Sequence, residues 1–444
     1  MNFDPSDFNV ICALLGLLMS VYGLLAYLIR ERCYLSDALI SFILGALLGP
    51  VTGLVDPMRL AQNDAGNIDR ITSAFSRLVL GVQLVIVGIQ LPKRYLIYEW
   101  RSLAVLLLPG LTCMWMISSI LVWVVLPPVP FLHALAIGAC ISPTDPVLSS
   151  AIVKGAFADK YVPLDLRRLI IAESGANDGL GYPFLFLPLL ILRYSNSETS
   201  GSGFWQVLSH WFGETWFYVI LLSVVYGAVL GWWAQSMLHF TAMREYLDRE
   251  TFTIFSISLS LLVLGTAGMA NSDDILACFI TGNSFTMNDW FRIQTMEDTL
   301  QPTIDLILNM SMFIWLGAVC PWSAFTDSSI VPLPRLILLA ILILALRRLP
   351  VILTLRPWVR HIHTTRDALF MGFFGPIGVS AIFYYCLCIE YLETFQGGEA
   401  IPGLAASMRV VVWFLIMTSV VTGAWIIYTV GDAGSLVVRL IPTT

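Results

Sequence analysis

The chemistry-bearing residues of this chain are concentrated in Glu173-Ser-Gly-Ala-Asn-Asp-Gly179, a polar patch inside an otherwise apolar stretch. On a helix, Glu173 and Asn177 share a face because they are four apart, and so do Ser174 and Asp178. Insertion of one Asp into the centre of a bilayer costs at least ~2.5 kcal/mol, so carboxylates at that depth are retained for function by default. Desolvation penalises a bare carboxylate, and a proton and a monovalent cation then compete for it. Such competition at one group is what coupled exchange requires. Polar contact between packed helices is the plainer alternative for the same residues.

A second constellation, Cys140-Ile-Ser-Pro-Thr-Asp-Pro146, places two prolines around an aspartate. Pro143 and Pro146 each remove a backbone donor and obstruct the preceding turn, so a regular helix cannot pass through and carbonyls near Ser142 to Thr144 are released. At membrane depth that is tolerated only where protein or a water-filled cavity satisfies them, and broken helices of this kind present carbonyls and dipole ends to transported ions. Asp145 is also placed to cap the following half-helix. In the opposite half of the chain, Phe373-Phe-Gly-Pro-Ile-Gly378 predicts a second break at Gly375, Pro376 and Gly378, with a close glycine-mediated helix contact as the alternative. Two breaks in corresponding positions of two halves point to a mid-membrane site between inverted repeats.

Arg347-Arg348 lies within an apolar run, where an unpaired guanidinium is costly, and Glu173 is its candidate partner. Asp273 and Asp274 open a short apolar segment, where they serve either an entrance for cations or a helix cap. His361 and His363 form an H-x-H in a basic loop and read as solvated.

The elements that must hold these residues are membrane helices. The chain of 444 residues is 57% hydrophobic and 12% charged, with a mean hydropathy of +0.80; a globular chain in water carries roughly twice that charge fraction. Apolar runs near the ~20 residues that cross a bilayer recur along the whole sequence. They predict about thirteen spans with cores at 8–29, 36–54, 74–92, 102–126, 131–153, 166–193, 214–239, 252–270, 273–287, 301–320, 334–355, 367–391 and 405–430. One membrane domain over 1–432 and a short tail over 433–444 follow. Basic residues gather in alternate loops (Lys93, Arg94 and Arg101; Lys154, Lys160, Arg167 and Arg168; Arg356, Arg360 and Arg366), which puts the N-terminus outside and the C-terminus in the cytoplasm.

The net charge of -6 comes with no Lys/Arg run fit for nucleic acid. The eight cysteines lie mostly in apolar segments without zinc-ligand or redox spacing, and the acidic N-terminus lacks the basic region of a signal peptide. No nucleotide-binding loop or zinc-protease helix is present, so no cofactor is expected and the energy must come from an ion gradient. A cation channel or uniporter would use the same polar strip without coupled protons. An intramembrane aspartyl hydrolase would pair Asp145 with Asp178, but its Gly-x-Gly-Asp pattern is missing.

These motifs resemble those of the cation/proton antiporters of the electroneutral branch, and among them the fungal plasma-membrane Na+/H+ antiporters. The resemblance rests on Ser142-Pro-Thr-Asp-Pro-Val-Leu-Ser149, Ile170-Ile-Ala-Glu-Ser-Gly-Ala-Asn-Asp-Gly179, Asp273-Asp-Ile-Leu-Ala-Cys-Phe279, Arg347-Arg-Leu-Pro350 and Phe374-Gly-Pro-Ile-Gly378, with Gly49-Pro50 and Leu91-Pro-Lys93 earlier. It implies an all-α fold of thirteen transmembrane helices: two inverted six-helix repeats after a leading helix, with two broken crossing helices in a core domain and a scaffold that forms a homodimer. It implies exchange of Na+, and of Li+ or K+, for H+ by alternating access. Asp178 and Asn177 would form the ion site, with Na+ bound at Asp178 and Thr144, Asp145 and Ser174 completing the shell. Glu173 would pair with Arg347. Fungal members usually continue into a long polar tail, whereas this sequence stops soon after Arg439.

Overall fold

The computed structural model describes residues 36–62, 64–153, 162–195, 202–246, 248–296, 299–327, 331–394 and 402–432, and five earlier positions at 9, 13, 16, 20 and 24. The expected span at 8–29, Lys154 and Lys160, and the tail over 433–444 lie largely or wholly outside the described residues.

Among the described residues the chain is helical, without strands. The principal elements are α1 (Asp37–Ala46), α2 (Ala65–Gln90), α3 (Leu111–Val125), α4 (Phe131–Ile141), α5 (Pro146–Val153), α6 (Leu164–Leu180), α7 (Tyr182–Ser195), α8 (Leu222–Met243) and α9 (Arg249–Met269). Then come α10 (Asp274–Phe285), α11 (Leu300–Val319), α12 (Leu333–Leu346), α13 (Leu349–Leu355), α14 (Thr365–Phe373), α15 (Val379–Glu393) and α16 (Pro402–Asp432). Among the described residues seven helices are long and apolar enough to cross a membrane: Gly66–Gln90, Trp100–Val125, Leu164–Tyr194, Gly203–Met243, Leu300–Val319, Leu333–Trp358 and Gly403–Gly423. Asp37–Val51 and Phe131–Ile141 are apolar but shorter, and α9 is apolar over Ile254–Met269 within its 21 residues. Of the other expected spans, the one at 8–29 lies largely outside the described residues. The spans expected at 131–153 and 367–391 are each divided by a break into two short halves, and α10 is only 12 residues long.

Helix starts follow the polar residues that precede the apolar runs, because the first amides of a helix need acceptors. Ser36 accepts from Leu39 N at 3.2 Å, Asp64 from Gly66 N at 3.0 Å, and Asp248 from Thr251 N at 3.1 Å. Thr364 and Asp367 form a reciprocal capping box ahead of α14. Helix α12 ends at Leu346 for the opposite reason: Pro350 has no amide proton and its ring collides with the carbonyl four residues back. The chain then turns through Arg347 and Arg348, both 2% exposed. These arginines are therefore enclosed by protein.

Glycine sets how closely several helices approach. Helix α1 lies on α11, where a Cβ at Gly45 would run into the Ile314 carbonyl and one at Gly317 into the Phe42 carbonyl. Helix α10 is wedged between α2 and α8, and a Cβ at Gly282 would meet the Val85 carbonyl.

Gly317→Val is expected to force α1 and α11 apart and destabilise the fold by ~1–3 kcal/mol, the usual range for overpacking. Gly265→Ala, in open space on α9, should leave stability unchanged or raise it by up to ~1 kcal/mol through helix propensity. Thermal melting of the purified protein in detergent checks both, and equal loss in the two variants would refute the close-contact account.

Candidate functional site

The two breaks meet. Helix α4 stops at Ile141 and α5 starts at Pro146, while α14 stops at Phe373 and α15 starts at Val379. Between them the Asp145 amide donates to the Pro376 carbonyl at 3.1 Å. Four helix ends thus converge inside the protein, two with free carbonyls and two with free amides, and the partial charges of these ends require compensation.

Arg347 serves the carbonyl ends. One of its terminal nitrogens (Nη1) donates to the carbonyls of Ile141, Ser142 at 3.3 Å and Pro143 at 3.4 Å, and the other (Nη2) donates to the Gly375 carbonyl. Asp145 serves the amide ends. Its Oδ1 accepts from Leu148 N at 3.0 Å and its Oδ2 from Val379 N. The cap expected at α5 is therefore present and extends to α15. Gly378 has no room for a Cβ because Asp145 Oδ2 occupies that place. The crossing is further pinned by Ser419 on α16, whose hydroxyl accepts from Ile377 N at 2.9 Å.

Helix α6 supplies the polar strip. Ser174 and Asn177 both face the first break: Asn177 Nδ2 donates to Thr144 Oγ1 at 2.8 Å, Thr144 N donates to Asn177 Oδ1 at 3.2 Å, and the Ser174 and Thr144 hydroxyls are 3.0 Å apart. Ser174 also donates to Ser149 at 3.1 Å, a contact the sequence reading did not single out. Asn177 is thus committed at both ends of its amide to fixing Thr144.

Glu173 forms a two-pronged pair with Arg348, at 2.8 and 2.7 Å, with both side chains nearly completely buried. This corrects the expected partner, Arg347. Because α12 ends at Leu346, the two consecutive arginines leave the helix in different directions. Arg347 reaches the carbonyls of the crossing, and Arg348 reaches α6 while its Nε donates to the Met371 carbonyl at 2.9 Å.

Asp178 differs from all of these. It is 1% exposed, and neither carboxylate oxygen has a hydrogen-bond partner among the described residues. Its backbone carbonyl, by contrast, accepts from the Tyr384 hydroxyl on α15. Four residues past Asp178, Tyr182 lines a cavity of about 590 Å³ that is also bordered by Arg193, Glu214, Asn271, Glu390 and Tyr391.

Outside the centre, the cap is the reading of Asp273 and Asp274 that the structure favours over the entrance, and the expectation for His361 changes. Asp273 caps α10 by accepting from Leu276 N at 2.9 Å, and Asp274 pairs with Arg77; both aspartates are buried, so they do not form an open acidic entrance. His361 is not solvated. Its Nε2 lies 3.0 Å from Glu99 Oε2, with side chains 15% and 11% exposed.

A buried pair loses most when one partner is removed, because the other charge is left uncompensated. Arg348→Ala is expected to destabilise the fold by ~3–5 kcal/mol, and the Glu173→Gln and Arg348→Met double variant by much less than the sum of its parts. A double-mutant cycle of thermal melts checks this coupling. A cycle in which Glu173 couples to Arg347 and not to Arg348 would overturn the pairing.

The transmembrane model of the sodium/hydrogen exchanger family matches residues 16–430. The chain is 34% identical over 403 residues to Na(+)/H(+) antiporter 2 of Zygosaccharomyces rouxii, covering 90% of this chain and 48% of that protein. It is 35% identical over 404 residues to a Na(+)/H(+) antiporter of Saccharomyces cerevisiae, covering 90% and 40%. To a Na(+)/H(+) antiporter of Schizosaccharomyces pombe it is 30% identical over 416 residues, covering 92% and 86%. The chain therefore spans half or less of the first two relatives. In fold it is similar to a sodium proton antiporter of Methanocaldococcus jannaschii solved at pH 8, with a TM-score of 0.68 and 18% identity over 95% of this chain and 98% of that one.

Proposed function

The chain belongs to the sodium/hydrogen exchanger family, and on that premise we propose that it exchanges cytoplasmic Na+ for H+ at Asp178 by electroneutral alternating access. The observation that carries this reading is the Asp178 carboxylate itself, buried and without a hydrogen-bond partner among the described residues. Every other charge at the crossing has an opposite number. Glu173 is matched by Arg348, and Asp145 and Arg347 answer the two kinds of helix end. One uncompensated carboxylate supports a stoichiometry of one monovalent cation or one proton at a time.

The barrier to movement follows from the same charge. An empty, ionised Asp178 is expensive to carry through an apolar constriction, whereas the protonated and cation-loaded forms are neutral at that group. Only loaded carriers then cross, and this couples the two fluxes. Thr144 and Ser174 supply neighbouring oxygens, and Asn177 holds Thr144 in place for them. The cavity that includes Tyr182 supports an aqueous approach from the side of α7 and α15.

Li+ is a further substrate in this proposal, since it uses the same hard oxygen ligands, and K+ is the case that cavity size decides. The reading includes a homodimer in the plasma membrane, with the N-terminus outside. The orientation is supported by the basic loops around Lys93, Arg94, Arg356, Arg360 and Arg366.

The test is proton flux in proteoliposomes with a pH gradient and clamped zero voltage. Na+ and Li+ are expected to dissipate the gradient, and Asp178→Asn to reduce that response to the level of protein-free liposomes while still inserting and folding. Robust exchange by Asp178→Asn would remove the site assignment. Current without coupled proton movement would replace the exchanger by a uniporter.

A further inference from the structure

We propose that Ser380, on the second broken helix, contributes a hydroxyl ligand to the cation held at Asp178. The inference rests on Asp178 being the transport site.

Ser380 occupies the first turn of α15. It is 1% exposed, and its hydroxyl has no hydrogen-bond partner among the described residues. That is unusual for a helical serine, which normally returns its proton to the carbonyl three or four residues back. Here those residues are Pro376 and Ile377, and both lie in the break, where the chain is not helical. The Pro376 carbonyl is turned toward the Asp145 amide instead. The discontinuity that creates the crossing thus frees the Ser380 hydroxyl from its local acceptor.

The hydroxyl is also aimed at the right place. Tyr384 stands one turn further along the same face of α15 and donates to the carbonyls of Asp178 and Gly179. A helical side chain leans toward its own N-terminus, so Ser380 meets α6 at the level that the Tyr384 ring reaches back to. Ser380 and the Asp178 carboxyl are therefore buried polar groups on two helices that Tyr384 joins, and neither has a hydrogen-bond partner among the described residues. Two buried polar side chains thus face each other unpaired, and a small cation between them would satisfy both.

A hydroxyl suits both loaded states. It offers a lone pair to a bound cation, and it accepts the proton of a neutral Asp178 carboxyl. The ligand set then spans three elements: Thr144 in the first break, Ser174 and Asp178 on α6, and Ser380 beyond the second break. Ion occupancy thereby bears on both broken helices at once. Asp145 already ties them through Val379, the residue before Ser380.

The experiment measures Na+ dependence of exchange for wild type, Ser380→Ala, Ser380→Thr, Ser380→Cys and Asp178→Asn in proteoliposomes. Melting of each variant is followed with and without Na+. Ser380→Ala is expected to raise the apparent KM for Na+ about tenfold, the order of one lost polar contact, with kcat changed much less. Ser380→Thr should restore the wild-type KM. The Na+-induced rise in melting temperature should shrink in Ser380→Ala while the melting temperature without Na+ stays near wild type. Ser380→Cys fills the same space with a poor ligand for Na+, so it repeats the KM defect even if Ser380→Ala does not fold. An unchanged KM in Ser380→Ala or Ser380→Cys, with Asp178→Asn inactive, overturns the Ser380 ligand and leaves the Asp178 site standing. Normal exchange by Asp178→Asn removes the site and the ligand together.

Discussion

The structure depends on a constraint that the bilayer imposes: a helix cannot end inside it unless its terminal amides and carbonyls find partners in the protein. This chain ends four helices in one place. The carbonyl ends of α4 and α14 share one guanidinium, Arg347, and the amide ends of α5 and α15 share one carboxylate, Asp145. Each side chain bridges the two breaks, so neither break is complete without the other. The crossing is a single polar object assembled from residues more than two hundred positions apart.

That arrangement determines how charge is distributed around it. Arg347 and Asp145 answer opposite helix dipoles, and the Glu173 carboxylate is matched in two prongs by Arg348. A buried charge without such a match is heavily penalised. Asp178 is the exception. It sits one turn beyond Ser174 on α6, against the crossing, with its carboxylate oxygens unpartnered among the described residues. The matched charges fix the geometry, and the unmatched one is the group on which the proposed exchange rests. Substituting a structural pair and substituting Asp178 should therefore fail in different ways, the first in folding and the second in transport alone.

The sequence made the breaks and the polar helix legible because proline, glycine and intramembrane carboxylates act locally. Pro143 and Pro146 stop a helix wherever they stand, and Asp178 in an apolar run is costly in any fold. The partner of Glu173 was not legible. Arg347 and Arg348 are adjacent, and which one faces α6 depends on where α12 stops and how the chain turns at Pro350. Pro350 fixes the first of these, but the direction of each side chain after the turn depends on what packs against it, the crossing for Arg347 and α6 for Arg348. The same holds for Asn177, whose type suggests a ligand but whose amide is engaged with Thr144. His361 was read as solvated because its neighbours are polar, yet Glu99, more than two hundred and fifty residues earlier, closes over it. Thirteen spans were countable as apolar runs, but runs divided at their centre do not yield thirteen uninterrupted helices.

Connections among the elements also separate what is tied together from what is merely adjacent. Thr144, Ser174, Asn177, Glu173, Arg347, Arg348 and Tyr384 link α6, both broken helices and the α12–α13 turn through buried hydrogen bonds. Helices α1, α2, α10 and α11 pack instead through glycine-backed contacts and isolated polar pairs such as Trp315 with Thr72 and Gln83 with Asp305. Across the boundary, the pair of Arg70 with Glu393 is 3.6 Å long and has both side chains more than half exposed. Exposed pairs of that kind contribute at most ~1 kcal/mol. A motion that carries the crossing past α2 and α10 would shear apolar contacts, among them Gly175 against the Phe279 ring and Gly179 against Leu276, while preserving the polar links within the crossing. Motion within the crossing would strip helix ends of partners they cannot replace. The constraint that makes the two breaks expensive is also what ties the elements around them into one unit.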